Sequence, residues 1–240
     1  MDESLMPKNI RIATRKSPLA LWQARKVSEL LKNIDNSINI ELVKITTSGD
    51  KILDKPLYDI GGKSLFLKEL EQALLNNDCD IAVHSMKDMP AELHEDLTIS
   101  AILEREDSRD VLISKKHHSL ADFTSTSSLG TSSVRRICNT KYEYPNIRIS
   151  DMRGNIDTRI NKVLDGKMDG IILAAAGVKR LGLEKYITSY MDKKIWIPAI
   201  GQGAIGIESR KNNKKINNIV GKLNHEHTKI CVDAEREVSA

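Results

Sequence analysis

Lys87 and Asp88 are the most chemically suggestive residues of the chain, an ammonium and a carboxylate side by side just before Pro90. Ile81 and Val83 precede them in a pattern that is typical of a half-buried strand, and Pro90 ends the ladder because it has no backbone N–H. The pair therefore falls where a strand gives way to a loop, which is where ligands bind in open α/β sheets. A carboxylate at this point can move protons beside a charged ligand. Taken alone, however, the pair favours the simpler interpretation of a surface salt bridge.

A pair of arginines at a predicted helix start gives the Lys-Asp pair more weight. Arg135 and Arg136 follow Thr131 and Ser133 at this start. Cations in the first turn of a helix oppose its dipole, whereas anions bind there readily. The placement therefore costs stability unless an anionic ligand is expected.

More arginines lie at strand ends and at a further helix start. Arg153 follows a predicted strand, Asn155 caps the next helix, and Arg159 lies in its first turn. Arg15 and Arg180 also follow strands. Arginine forks bind carboxylates in pairs of hydrogen bonds, so converging forks indicate a ligand with several carboxylates or phosphates. Solvated surface arginines are the simpler interpretation for three others: Arg11, Arg25 and Arg148.

Neither the GGKS segment nor the histidines match a known phosphate or metal site. The segment GGKS at 61–64 resembles the end of a phosphate loop, but Leu57 stands where the GxxxxGK[ST] pattern needs glycine. A mobile loop that carries Lys63 over the ligand is the better interpretation. The histidines lack a convincing set of carboxylate or cysteine partners, so we predict no metal site.

The composition is that of an ordinary soluble protein with a mild positive charge. Hydrophobic residues make up 40% and charged residues 29% of the 240 residues, and the formal net charge is +4. No apolar run approaches the roughly 18 residues of a membrane span. The three cysteines have no CxxC spacing, which fits a reducing cytoplasm. Aromatic residues are only 4%, which argues against a stacking platform for nucleic acid.

Alternating strand and helix patterns separate the residues that could do chemistry. Strands are predicted at 10–13, 38–45 and just before Lys87, with helices beginning after Ser17 and near Leu67. This β-α-β-α-β order predicts a parallel sheet with helices on its faces.

A second set of elements begins near Asp110. It includes the continuous apolar run 170–177, which is typical of a central parallel strand. A strand at 204–207 is predicted to return to the first domain, and two crossings suit a clamshell with its ligand in the cleft. We therefore predict domain 1 at 1–105 plus 202–222, domain 2 at 106–201, and the start of a third domain at 223–240.

Eight sequence segments, in family order and over nearly the whole chain, resemble hydroxymethylbilane synthase, also called porphobilinogen deaminase. They are 11–24, 61–66, 80–90, 104–107, 130–136, 153–159, 173–181 and 198–204. The resemblance implies an α/β fold of two periplasmic-binding-protein-like domains with a hinged cleft, plus a small α+β third domain. It also implies condensation of four porphobilinogen molecules into linear hydroxymethylbilane, with release of ammonia, on a covalently held dipyrromethane cofactor.

The resemblance also implies roles for individual residues. Asp88 would be the catalytic carboxylate, which protonates the leaving amine, faces the cationic methylene-pyrrole intermediate and helps to remove the proton after coupling. The implied cofactor-binding residues are Lys87, Thr131, Ser133, Arg135, Arg136 and Arg159. The implied substrate-binding residues are Arg15, Ser17, Arg153 and Arg180, and Lys63 would be the lid lysine. Porphobilinogen carries acetate and propionate arms, which suit the arginines.

The chain departs from the family pattern in two places. Ser64 replaces the last glycine of the usual GGKG segment, which stiffens the predicted lid. The family continues past the Ala-Glu-Arg segment at 234–236 into a domain whose Gly-Gly-Cys motif binds the cofactor through a thioether, and none of the three cysteines here matches that motif. We therefore expect the 240-residue form to lack the attachment thiol and nearly all of the third domain, and to be inactive in that form.

A two-lobed small-anion binding or sensor domain is the alternative from a different functional class. It explains the arginines and the clamshell without catalysis, but it does not require Asp88 at the cleft. A nucleic-acid binder is disfavoured by the few aromatic residues and the dispersed arginines. We expect a cytoplasmic monomer that binds a small-molecule substrate and has no nucleic-acid or membrane partner.

Overall fold

The computed structural model describes residues 7–51 and 67–238, and these form two compact units. Unit 1 contains the described residues up to Glu106 and those from Ala204 onward, and unit 2 runs from Asp107 to Gly203. The chain therefore leaves unit 1 once and returns to it once.

The described residues form ten strands and eight α-helices. The strands are β1 (Asn9–Arg15), β2 (Asn39–Ile45), β3 (Ile81–Ser85), β4 (Leu97–Ile102), β5 (Asp110–Ser114), β6 (Ser128–Gly130), β7 (Arg148–Ser150), β8 (Gly170–Ala174), β9 (Ser189–Tyr190) and β10 (Ile205–Arg210). The helices are α1 (Pro18–Ile34), α2 (Ser48–Lys51), α3 (Lys68–Leu75), α4 (Val134–Glu143), α5 (Ile156–Leu164), α6 (Ala175–Arg180), α7 (Lys214–Gly221) and α8 (Glu226–Glu237).

Unit 1 is built on a sheet with the strand order β2-β1-β3-β10-β4. Strand β1 runs parallel to β2 and β3, as the sequence predicted, whereas β10 runs antiparallel to β3 and β4. The predicted parallel sheet is confirmed for β1, β2 and β3, whereas the antiparallel direction of β10 was not predicted. The reason is topological, because β4 carries the chain out of unit 1 and its neighbour β10 carries it back.

Unit 2 repeats this plan with the strand order β7-β6-β8-β5-β9. Strand β8 is central and fully buried, as the apolar run predicted. The run is not a single strand, however, because β8 ends at Ala174 and α6 begins at Ala175. Alanine has the highest helix propensity, so a buried alanine run can begin a helix as soon as the strand pairing ends.

Helix α8 packs on unit 1. Val232 joins the buried cluster that contains Met86 and Ile102, and Arg105 forms a two-point ion pair with Glu235. Residues 223–238 thus pack within unit 1, and their assignment to the start of a third domain stays a prediction. Within the described residues, no helix is long and apolar enough to cross a membrane.

Candidate active site

Asp88 ends a single 3-10 turn that begins at Met86 and follows β3 directly. The backbone N–H of Met86 donates to the carbonyl oxygen of Ala204 at 3.0 Å, and that of Met89 donates to the Met86 carbonyl oxygen at 3.2 Å. Both methionine side chains are buried, while Lys87 and Asp88 stay half-buried. The predicted position of the pair, at a strand end, is confirmed.

A small pocket of about 70 Å³ in unit 1 is lined in part by Asp88. The other polar residues of its described lining are Arg15, Ser17, Gln23, His84 and Ser85. Pockets that enclose a whole small molecule measure roughly 300–1,000 Å³. This pocket can therefore hold only part of a substrate beside the Asp88 carboxylate.

Arg15 and Ser17 reach this pocket from the end of β1 and the start of α1. The Ser17 hydroxyl accepts a hydrogen bond from the Ala20 N–H at 3.3 Å and so caps the helix. Arg15 forms an ion pair with Asp50. Burial would raise the pKa of Asp50, but hydrogen bonds from Arg15 and Thr47 outweigh burial and hold that pKa below its usual value. A substrate carboxylate would therefore share Arg15 with Asp50.

His84, on the same pocket, is paired with a buried carboxylate of β10. Its Nε2 lies 3.0 Å from Oε2 of Glu208, and the two side chains are 4% and 0% exposed. The other carboxylate oxygen, Oε1, is buried and has no hydrogen-bond partner among the described residues. The pair joins β3 to β10 next to the Asp88 turn.

Two helix starts in unit 2 have caps that leave their first turn open. The Thr131 hydroxyl accepts a hydrogen bond from the Ser133 N–H at 3.2 Å, but the side chain of Ser133, the N-cap of α4, makes no capping bond. Asn155, the N-cap of α5, likewise makes none. Helix starts of this kind can accept an anion at their N–H groups.

Arg135 and Arg136 converge on one buried carboxylate, that of Asp110. Their Nη2 atoms lie 2.7 Å and 2.8 Å from Asp110 Oδ2 and Oδ1, respectively. Their Nη1 atoms donate to the carbonyl oxygens of Ile197 and Ile172 at 2.8 Å and 2.9 Å. Arg136 Nε is buried and has no hydrogen-bond partner among the described residues. One carboxylate thus faces two guanidinium groups.

The sequence analysis missed Asp110 as a site residue. Burial would raise its pKa, but Arg136 and Arg135 outweigh burial and hold the pKa well below its usual range. The available signal was a carboxylate directly before the apolar strand residues 111–113, because a buried carboxylate needs a charged partner. Nothing in the pattern linked that need to arginines 25 and 26 residues further on.

Arg159 adds a further, half-buried cation to the cluster in unit 2. Its Nε donates to the Gly154 carbonyl oxygen at 2.7 Å. Burial, together with the neighbouring charges of Arg136 and Arg153, lowers the pKa of Arg159 to about 10, and Asp151 opposes the shift. A cation that is destabilised by burial among other cations is stabilised when an anion binds beside it.

The remaining predicted residues are not all drawn into these clusters. Arg180 ends α6, and its Nη2 donates to the Gly203 carbonyl oxygen at 2.6 Å. Lys63 and the predicted lid lie outside the described residues. Across residues 7–51 and 67–238, no group of three or more histidine, cysteine, aspartate or glutamate side chains could bind a metal ion.

Comparison with known proteins decides the family. The family model described as "Porphobilinogen deaminase, dipyromethane cofactor binding domain" matches residues 10–218. The chain belongs to the porphobilinogen deaminase family. A porphobilinogen deaminase from Syntrophomonas wolfei is 49% identical over 229 residues, which cover 95% of this chain and 75% of that protein.

Solved structures with the same fold are much more distant in sequence. The Bordetella pertussis BvgS VFT2 domain has a TM-score of 0.55 at 12% identity, covering 95% of this chain and 93% of that one. The methionine binding protein MetQ also has a TM-score of 0.55, at 13% identity, covering 96% of both chains. These likenesses confirm the periplasmic-binding-protein-like fold that the sequence resemblance implied.

The arginine cluster fits the cofactor that the family model names. Arg135, Arg136, Arg153 and Arg159 are positively charged; Asp110 offsets part of this charge at Arg135 and Arg136, and Asp151 offsets part of it at Arg159. A dipyrromethane with acetate and propionate arms supplies carboxylates that can offset the remaining charge. The Arg135 side chain, which is 24% exposed, offers a guanidinium surface that such a carboxylate can use.

Proposed function

We propose that the chain carries the active-site residues of hydroxymethylbilane synthase. The enzyme joins four porphobilinogen molecules head to tail and releases one ammonia for each. The observation that carries the proposal is the Asp88 carboxylate, held on a braced turn beside a small polar pocket in a chain of the porphobilinogen deaminase family.

Asp88 is proposed as the general acid and base of the reaction. In its acid form it donates a proton to the departing amine. As a carboxylate it then stabilises the positive charge that develops on the substrate methylene carbon. The same carboxylate accepts the ring proton that is lost after the new carbon–carbon bond forms. Each condensation therefore returns Asp88 to its starting state.

The arginines are proposed to bind and orient carboxylates. Arg15, Ser17, Arg153 and Arg180 would hold the acetate and propionate arms of the substrate. The residues proposed to hold the dipyrromethane are Lys87, Thr131, Ser133, Arg135, Arg136 and Arg159. When bound, the dipyrromethane supplies the pyrrole carbon to which the first substrate is joined. Lys63 is proposed to cover the bound substrate.

None of the three cysteines is proposed as the covalent anchor of the cofactor. Cys79 is buried, and burial raises the pKa of its thiol to about 12, which suppresses the thiolate. Cys138 is exposed on α4 and Cys231 is half-buried on α8. Neither lies in a Gly-Gly-Cys motif. The 240-residue chain, produced in a haem-making host, should therefore show no dipyrromethane mass adduct. A form of the chain extended by the family's Gly-Gly-Cys domain, called the cofactor-loaded enzyme below, should show one.

Product analysis tests the proposal. The cofactor-loaded enzyme should consume porphobilinogen, release one ammonia for each molecule consumed and yield a linear tetrapyrrole. Binding of porphobilinogen without consumption would favour a small-anion binding domain instead. A monomeric state and a cytoplasmic location are further parts of the proposal, and sedimentation and cell fractionation test them.

A further inference from the structure

We propose that Asp110 is a positioning residue that orients Arg135 and Arg136 toward a carboxylate ligand. Trp196 and Gln202 hold Asp110 itself in place. The inference rests on the proposed carboxylate-binding role of the two arginines, and it assigns a function to a carboxylate that is fully buried among protein donors.

The Asp110 side chain is completely buried and accepts four hydrogen bonds. Oδ1 accepts from Arg136 Nη2 at 2.8 Å and from Gln202 Nε2 at 3.0 Å. Oδ2 accepts from Arg135 Nη2 at 2.7 Å and from Trp196 Nε1 at 2.9 Å. Because two neutral donors occupy part of the carboxylate, each guanidinium meets it at one defined place.

A second contact fixes the rotation of each guanidinium. Arg135 also donates to Ile197 and Arg136 also donates to Ile172, in both cases through Nη1. Two of the three nitrogens of each side chain are therefore anchored by the protein. The rotamer of each arginine is set before a ligand arrives, which lowers the entropy that binding would otherwise lose.

The charges show that this arrangement is more than a closed salt bridge. Asp110 neutralises one of the two guanidinium charges, and the other remains for a ligand. The carboxylate is also firmly placed, because Asp110 begins β5 opposite Ala174 of the central strand β8. The Arg135 side chain is 24% exposed, so part of its guanidinium is left for a bound carboxylate.

The first test measures arginine order without ligand. Asp110→Asn removes the charge and keeps the shape of the side chain. Asp169→Asn is the matched control, because Asp169 is also an ion-paired carboxylate of unit 2. It pairs with Lys116 and accepts a hydrogen bond from the backbone N–H of Ser128 in β6. We expect the ¹⁵N heteronuclear NOE of the Arg135 and Arg136 Nε–H groups to fall in Asp110→Asn only. Unchanged NOE values in that variant would overturn the proposal.

The second test measures binding of porphobilinogen to the cofactor-free 240-residue chain, where the two carboxylates of this probe can reach Arg135 and Arg136 because no dipyrromethane occupies them. We expect Asp110→Asn to raise the Kd about ten- to a hundredfold, the range known for hydrogen bonds that orient the ligands of a metal ion. Asp169→Asn should stay within about threefold of wild type. Equal or tighter binding by Asp110→Asn would mean that Asp110 competes with the ligand, and would overturn the proposal.

Trp196 provides a milder variant and a spectroscopic signal. Trp196→Phe removes one donor to Asp110 and leaves all charges, so it should raise the Kd less than Asp110→Asn. If Asp110→Asn does not fold, the Kd of Trp196→Phe tests the role of Asp110 in its place. Wild-type affinity in Trp196→Phe would then overturn the proposal. In wild type, the Trp196 indole ¹⁵N–H resonance, one of two in the chain, should shift when the probe binds. No binding by wild type would contradict the proposed carboxylate-binding role of Arg135 and Arg136, while the ligand-free NOE test still decides the role of Asp110.

Discussion

A methyl group added at Gly206 should disturb the Asp88 turn through the packing of Met86. Gly206 lies in β10 opposite His84 of β3. A Cβ atom at this position would lie closer than 3.0 Å to Met86 Sδ and 3.4 Å from Met86 Cγ. Met86 begins the turn that Asp88 ends, so a shift of this side chain should reach the carboxylate.

The size of the effect follows from the packing. Non-bonded atoms settle at about 3.5–4.0 Å, so the sulfur must move by more than about 0.5 Å. Met86 is 2% exposed and packs in a buried cluster, which leaves it little room. Overpacking of this kind costs about 1–3 kcal/mol, or roughly 2–12 °C in Tm for a chain of this size. A displacement of about 1 Å at a catalytic group can lower turnover by about a hundredfold, so we expect a loss of at least about tenfold.

Differential scanning calorimetry and porphobilinogen turnover by the cofactor-loaded enzyme measure both effects. Gly221→Ala is the matched control, because a Cβ there meets nothing within 4 Å, and it should leave Tm and turnover unchanged or raise Tm slightly. In a Met86→Ala background, Gly206→Ala should cause no further loss. Wild-type Tm and turnover in Gly206→Ala alone would refute the reasoning.

Three further predictions concern charged groups. Arg159→Met should raise the Tm of the cofactor-free chain, because it removes a cation destabilised by burial. It should also abolish the cofactor loading that mass spectrometry detects. The exposed control Lys167→Met should change neither the Tm nor the loading. His84→Ala should lower the free energy of unfolding in urea by about 3–5 kcal/mol, because it leaves the buried Glu208 unpaired; a loss below about 1 kcal/mol would contradict this. The pKa of Asp169 is lowered to about 2, below the roughly 3.9 of an unfolded chain, so its contribution to stability is complete above about pH 4 and is lost as pH falls toward 2. Asp169→Asn should therefore flatten the acid limb of the stability curve, and an unchanged limb would show that other carboxylates dominate it.

Local signals account for the elements that the sequence predicted well. Ser17 followed by Pro18 marks the start of α1, and the structure shows the Ser17 hydroxyl capping that helix. Pro90 marks the end of the segment that carries Asp88. These signals act within a few residues of each other, so a single sequence contains them.

Contacts between residues far apart in the chain could not be predicted from these local signals. The antiparallel direction of β10 depends on where the chain re-enters unit 1, and no residue of β10 encodes that by itself. Asp110 and its arginines are neighbours only after β5 and α4 have packed. The sequence indicated that Arg135 and Arg136 needed an anion, but it did not reveal that the protein supplies part of that anion itself.

The boundary inside the apolar run 170–177 shows a third kind of limit. Both β8 and the first turns of α6 are buried, so burial alone cannot distinguish them. Hydrophobic periodicity also cannot distinguish a strand from a helix when every position is apolar. The point where pairing with the neighbouring strands stops determines that the strand ends at Ala174 and the helix begins at Ala175.

The most direct test of the central claim is turnover by Asp88→Asn in the cofactor-loaded enzyme. The account predicts that porphobilinogen consumption falls by at least about a hundredfold, the scale of general acid–base catalysis. The dipyrromethane mass adduct and the Tm should stay close to wild type, because the side chain is half-buried and Asn has the same shape. Wild-type turnover in Asp88→Asn would contradict the claim that this carboxylate moves the protons of the reaction.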